Sequence, residues 1–208
     1  VSGRVLPSTL RDVKLVADVR LPHAVDQVRV AGESRIPQMA GQIRRVWLEP
    51  NDAPAYPPVL ETILNADMII VGPGSLYTSL LPNLLVQDLL GAIRSSRAAK
   101  AYVCNLVTQA GETDLFTCGD HVRALEEHIG KGVFDVILCN CNYEEQLTDD
   151  MQWVKADEAI LADSRTVCVD LVDADQPWRH DIAKLTAALI EILDERALTS
   201  EEGVRAAL

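Results

Sequence analysis

The sequence predicts an α/β fold: a doubly wound, mostly parallel sheet covered by helices, with a small β-rich region ahead of it. Three observations carry this. A short continuous apolar run at 68–71 and mainly apolar runs at 101–104, 134–138 and 166–171 are expected of buried parallel strands. Stretches of helical periodicity separate them, which is the alternation of βαβ units. The first fifty residues behave differently and alternate apolar with polar side chains, the pattern of half-buried strands.

The elements follow in order. Val13, Leu15, Ala17 and Val19 alternate with Lys14, Val16, Asp18 and Arg20 in a first strand. Gly32-Glu33-Ser34 is a turn, and 42–48 is a further strand stopped by Glu49-Pro50. Residues 3–6 are expected to join this β-rich region. Segment 57–65 carries Val59, Leu60, Ile63 and Leu64 at helical spacing and leads into the buried strand 68–71. A loop and a helix over 86–96 precede the strand at 101–104. A helix is expected from Asp120 to His128, with Gly130 as its stop. Strands at 134–138 and 166–171 follow, and then an amphipathic helix over 181–196. Its apolar stripe is Ile182, Leu185, Leu189, Ile192 and Leu193. Residues 1–198 thus read as one Rossmann-like α/β domain, and 199–208 as a frayed tail. The acidic segment 144–150 reads as a solvated loop or short helix.

Composition narrows the function. Apolar residues make up 48% and charged residues 24% of 208, enough apolar surface for an ordinary globular core. A net charge of −12 argues against nucleic acid and against anionic membrane surfaces as partners. Residues 68–87 carry no charge, but Gly72-Pro73-Gly74-Ser75 and Pro82-Asn83 punctuate them as strand, loop and helix, not as a membrane span. Five cysteines, an odd number, and no signal peptide point to reduced thiols in a cytoplasm. Cys139 and Cys141 have no second paired set, so the five read as small packing residues rather than a metal site.

In open α/β sheets ligands bind beyond the carboxyl ends of the strands. Two segments are expected there. Val71-Gly72-Pro73-Gly74-Ser75-Leu76-Tyr77-Thr78-Ser79 follows a buried strand and offers two glycines for close backbone approach, with hydroxyls at Ser75 and Thr78. It is neither a Walker A loop nor a full dinucleotide fingerprint. Chemistry alone leaves an anion site and a plain tight turn equally open. Asn105, Thr108 and Gln109 follow the next strand and suit recognition of hydroxyls or a base edge; a surface loop is the competing reading. Arg179, just before the last helix, could hold a phosphate or simply face solvent. Asp120-His121 reads more readily as a helix cap and a packing residue than as a metal or acid/base pair.

The segment from Ala66 to Val86, with its Gly-Pro-Gly-Ser-Leu-Tyr-Thr-Ser core, closely resembles the signature of the CofD/YvcK-like family, the bacterial gluconeogenesis factors and their relatives the 2-phospho-L-lactate transferases. Asn105-Leu-Val-Thr-Gln-Ala-Gly-Glu-Thr113, followed by Asp120-His121-Val122, is similar to the second signature, with Val107 and Ala110 replacing the usual Met and Pro. Gly3-Arg4-Val5-Leu6-Pro7, Gly32-Glu33-Ser34 and Arg179-His180-Asp181 also resemble family positions. The family opens with a glycine-rich strand-turn-helix and an Asp- and Gly-rich motif that this sequence lacks, so the chain is expected to be a middle-to-C-terminal piece. The resemblance implies a protein that binds a UDP-sugar and regulates carbon flow into the cell wall and cell shape, with no established catalysis. The alternative it implies is an enzyme transferring a phospholactyl-type group from a nucleotide diphosphate donor, with Mg²⁺ held by groups such as Glu112 or Asp120. On either reading Gly72, Gly74, Ser75, Thr78, Asn105, Thr108, Gln109 and Arg179 are the expected ligand residues, a nucleotide-sugar is the expected partner, and a homo-oligomer is left open.

Overall fold

A computed structural model describes residues 3–22, 26–149 and 151–206, with side chains through Arg196. Two sheets organise it. The first is antiparallel and built from β1 (Lys14–Arg20), β2 (Gln27–Ala31) and β3 (Gln42–Glu49) in the order β2-β1-β3. A helix α1 (Pro57–Leu64) then leads into β4 (Met68–Val71). A π-helical turn (Leu76–Leu80), α2 (Leu81–Leu84) and α3 (Gln87–Ser95) follow. The chain continues through β5 (Ala99–Val103), α4 (Cys118–Ile129), β6 (Val136–Asn140), α5 (Glu158–Leu161), β7 (Thr166–Val169) and α6 (Ile182–Ala206). Strands β4 to β7 form the second sheet, in the order β4-β5-β6-β7 and parallel throughout.

Successive strand residues face opposite sides of the sheet, and both sides are packed. Tyr102, Ile137 and Cys139 point toward α3, α4 and the inner face of the antiparallel sheet, where Leu15, Ala17, Val19, Val46 and Leu48 are buried. Val103 and Leu138 point the other way, onto Leu185, Ala188, Leu189 and Ile192 of α6. This is why the parallel strands read as mainly apolar runs. The uncharged stretch 68–87 packs inward, with Leu76, Tyr77, Leu81 and Leu84 all buried. Among the described residues no single helix is long and apolar enough to cross a membrane.

Four expectations need correcting. Residues 3–6 form no strand: Val5 is 99% exposed and has no face to bury. The second partner of β1 is Gln27–Ala31, whose apolar signal is faint because Val30 alone is buried. Helix α4 starts two residues earlier than expected. Thr117 is its cap and accepts from the Asp120 N–H, while Asp120 accepts from the Thr117 N–H, a reciprocal capping box that puts Asp120 inside the first turn. Helix α6 runs on to Ala206, ten residues past its expected end at Arg196. The segment is rich in Ala, Leu and Glu, and Gly203 costs only about 1 kcal/mol relative to Ala. Residues 207–208 lie outside the described residues, as does Asp150; residues 144–149 form the expected exposed, irregular segment.

Candidate functional site

The loop leaving β4 is pressed against β5. Gly72 has φ +90°, and a Cβ there would sit 2.5 Å from the Val103 carbonyl oxygen, so this position needs glycine for both reasons. Gly74 has neither restriction; its nearest neighbour would be the Leu80 side chain at 3.3 Å. Its backbone is instead held by Asn105. The Gly74 N–H donates to Asn105 Oδ1 and Asn105 Nδ2 donates to the Gly74 carbonyl, both at 3.0 Å. One residue pair further on, Gln109 Nε2 donates to Ser75 Oγ at 2.9 Å. The two motif segments are therefore laced together at the carboxyl ends of β4 and β5.

The lacing continues beneath the surface. Glu112 is 8% exposed and accepts from Thr78 Oγ1 at 2.6 Å and from the Tyr77 N–H at 3.2 Å. Thr78 is thereby turned away from the other expected ligand residues, toward a separate depression of 520 Å³ that it shares with Lys14, Gly32, Glu33 and Arg35. Thr108 gives its N–H to the Gln152 carbonyl. The helix expected after the loop is a π-helical turn followed by a four-residue helix, so little macrodipole is aimed at Ser75.

Gly74, Asn105, Gln109 and Arg179 do come together. With Pro73, Trp178 and His180 they line a crevice of 470 Å³. The third wall comes from the segment between β7 and α6. His180 donates from Nε2 to the Cys104 carbonyl at the end of β5, 3.1 Å away, which draws Trp178 and Arg179 over the crevice. Burial lowers the His180 pKa below the ordinary histidine range, so the ring is a neutral strut. Trp178 is 43% exposed. Arg179 donates to Gln176 Oε1 at 3.1 Å, and among the described residues no carboxylate pairs with it. Sequence reasoning missed Trp178: an aromatic beside Arg179 was visible, but not that its loop folds back to β5 past β6 and β7.

Divalent-cation chemistry does not fit these walls. Mg²⁺ prefers carboxylate oxygens, and the crevice lining holds none. Glu112 is committed as described. Asp120 pairs with Arg123 at 2.7 Å. Burial pushes its carboxyl up, but the Thr117 bonds and Arg123 outweigh that and hold it below the usual range. Among the described residues no group of three or more His, Cys, Asp or Glu side chains is placed to hold a metal.

The cysteines, dispersed in sequence, converge. Thiol contacts run from Cys104 to Cys118, on to Cys139, Cys168 and finally Cys141. Burial and the neighbouring Cys139 push the Cys168 thiol up to about 11, so it is protonated at neutral pH and a poor nucleophile. Their role is packing between β5, α4, β6 and β7.

A parallel sheet with a polar, Arg-bearing crevice at its carboxyl end defines an open α/β protein whose crevice lies where such folds place their ligands. Comparison places it more closely. Residues 1–197 match the family model of 2-phospho-L-lactate transferase CofD. The chain is 37% identical over 203 residues to the gluconeogenesis factor of Halalkalibacterium halodurans, covering 92% of this chain and 61% of that protein. Against the gluconeogenesis factor of Bacillus subtilis the identity is 35% over 207 residues, covering 94% and 63%. A crystal structure of a UPF0052 family protein from Bacillus halodurans superposes with a TM-score of 0.79 at 38% identity, over 90% of this chain and 61% of that one. The chain belongs to the CofD family, on the branch of the gluconeogenesis factors, and spans about three fifths of the length of these relatives.

Proposed function

We propose that the crevice binds a UDP-sugar and that the protein acts through this binding, as a regulator, without catalysing a reaction. The observation that supports this is the pairing of Trp178 with Arg179 over the laced loops. An exposed indole gives a stacking platform for a base, with stacking worth about 1–3 kcal/mol. The guanidinium fork beside it matches phosphate oxygens in two-point contact. Asn105 and Gln109 are largely spent on the backbone of Gly74 and on Ser75, so their part is to hold the wall in place. Gly72 serves the same end by letting the loop touch β5. In this reading Thr78 acts from beneath, through Glu112. A cytoplasmic setting and a role in carbon flow and cell shape belong to the same proposal.

Group transfer is the second reading, favoured by the description of the family model. It needs acidic ligands for a divalent cation, and this crevice offers an arginine, a neutral histidine and two amides instead.

Isothermal titration with UDP-N-acetylglucosamine in EDTA tests the first reading. Trp178→Ala and Arg179→Gln should each weaken binding by about tenfold or more, which is about 1.4 kcal/mol. Both residues are exposed, so circular dichroism should show intact folds. Absence of binding, or equal affinity in both variants, would overturn the proposal; binding only with Mg²⁺ would favour transfer.

A further inference from the structure

A second pocket lies along the outer edge of β3, apart from the crevice. It measures 420 Å³ and is lined by Arg44, Arg45, Asn51, Gln87, Glu127 and His128, among others. Neighbouring strand residues ordinarily face opposite sides. Here they do not, because β3 carries a bulge. Asp18 of β1 lies opposite Arg45 while Val19 lies opposite Ile43, leaving Arg44 as the extra residue. Ile43 and Val46 are both buried, and both arginines between them are exposed. The bulge thus turns two consecutive guanidinium groups into one pocket.

These arginines differ from the four that form ion pairs elsewhere among the described residues. Arg29, Arg123, Arg165 and Arg196 each pair with a carboxylate, Arg165 with two. Among the described residues no carboxylate pairs with Arg44 or Arg45; Arg44 donates to the neutral Gln42 Oε1 at 3.2 Å. The pocket floor is fixed and uncharged. His128 Nδ1 donates to the Ala124 carbonyl, which leaves Nε2 to accept the Val46 N–H at 3.0 Å. The surroundings are basic for so acidic a chain: the first 49 residues hold eight cations and five carboxylates, a net of +3 against −12 overall.

We infer that this pocket binds the phosphate monoester of a small polyhydroxy compound. Two guanidinium forks supply bidentate donors for a phosphate dianion. Glu127 is an acceptor only, so what it takes from a ligand is a hydroxyl proton, and the amides of Asn51 and Gln87 both donate and accept. One carboxylate against two arginines disfavours a longer polyanion. The inference is independent of the crevice reading.

The test is calorimetric titration of the chain with sn-glycerol 3-phosphate and with inorganic phosphate, at constant ionic strength. Glycerol 3-phosphate should bind about tenfold tighter than phosphate, and Arg44→Gln and Arg45→Gln should each cost about tenfold or more. Glu127→Gln should erase the preference for the ester, and Arg179→Gln in the crevice should change nothing. The proposal fails if neither ligand gives heat up to about 20 mM, a concentration that covers weak millimolar sites. It fails equally if phosphate binds as tightly as the ester, showing a mere anion patch, or if Arg179→Gln abolishes binding while the Arg44 and Arg45 variants keep it.

Discussion

Replacing Gly72 by alanine adds one methyl group at the point where the β4 loop meets β5. Holding a non-glycine residue at φ +90° costs about 1–3 kcal/mol. The new Cβ would also lie 2.5 Å from the Val103 oxygen. Carbon–oxygen contacts settle near about 3.3 Å, so the loop must withdraw by roughly 0.8 Å. That motion stretches the two 3.0 Å bonds between Gly74 and Asn105, each worth about 0.5–1.5 kcal/mol. Together the effects amount to about 2–6 kcal/mol. For a chain of this size each kcal/mol moves Tm by about 2–4 °C, so the expected fall is roughly 4–24 °C. Gly74→Ala is the control, because its Cβ meets only the mobile end of Leu80 at 3.3 Å and its φ is unstrained; the expected cost is below about 1 kcal/mol. Differential scanning calorimetry of both variants decides. A Gly72→Ala protein melting within about 2 °C of wild type, or a Gly74→Ala protein melting lower than it, would show that the close approach is not a constraint.

Other outcomes follow from the same geometry. Thr117→Ala removes a cap that accepts from Asp120 and donates to Asp157, and should destabilise the fold by about 1–2 kcal/mol in urea titration; Thr117→Ser should recover most of it. Glu112→Gln replaces an acceptor pair by one acceptor and one donor facing the Tyr77 N–H, for a loss of about 1–3 kcal/mol in the same assay. Burial depresses the pKa of His121, His128 and His180. The unfolded chain therefore binds more protons as pH drops through the ordinary histidine range, so stability is full above that range and declines below it. Tm should fall between about pH 7.5 and 5.5, and a flat or rising Tm would contradict the burial of these rings. Asn105→Ala should weaken UDP-sugar binding by severing the loop from the crevice wall, with calorimetry as the readout.

Much of the fold was legible because both faces of the central strands β5 and β6 are packed, which forces mainly apolar runs that the sequence displays. Strand β2 was not, since only Val30 of its five residues reaches the core. The early start of α4 was present in principle as Thr117-x-x-Asp120, a spacing overshadowed by the more familiar Asp at the cap. Within the site, the sequence placed Gly74, Asn105, Gln109 and Arg179 near one another because each follows a parallel strand. It could not say which backbone groups were already taken. The Gly74 N–H looked available to a ligand and belongs to Asn105. Thr78 looked like a neighbour of Ser75 and turns inward to Glu112. Such choices depend on side chains more than thirty positions away, and no local pattern encodes them. The gathering of the five cysteines is of the same kind: their spacing is irregular along the chain and contiguous only across three strands and a helix end.

The bond from His180 to the Cys104 carbonyl spans 76 residues, and β6 and β7 are both made within that span. On a ribosome adding about 5–20 residues per second, the carboxyl end of β5 waits roughly 4–15 s for the segment that roofs it. During that interval the parallel sheet can assemble while Trp178 and Arg179 do not yet exist. The crevice therefore lacks its third wall until residues 178–180 have been made. Helix α6 comes later still, so the roof of the crevice and the cover over Val103 and Leu138 arrive together at the end of the sheet's assembly.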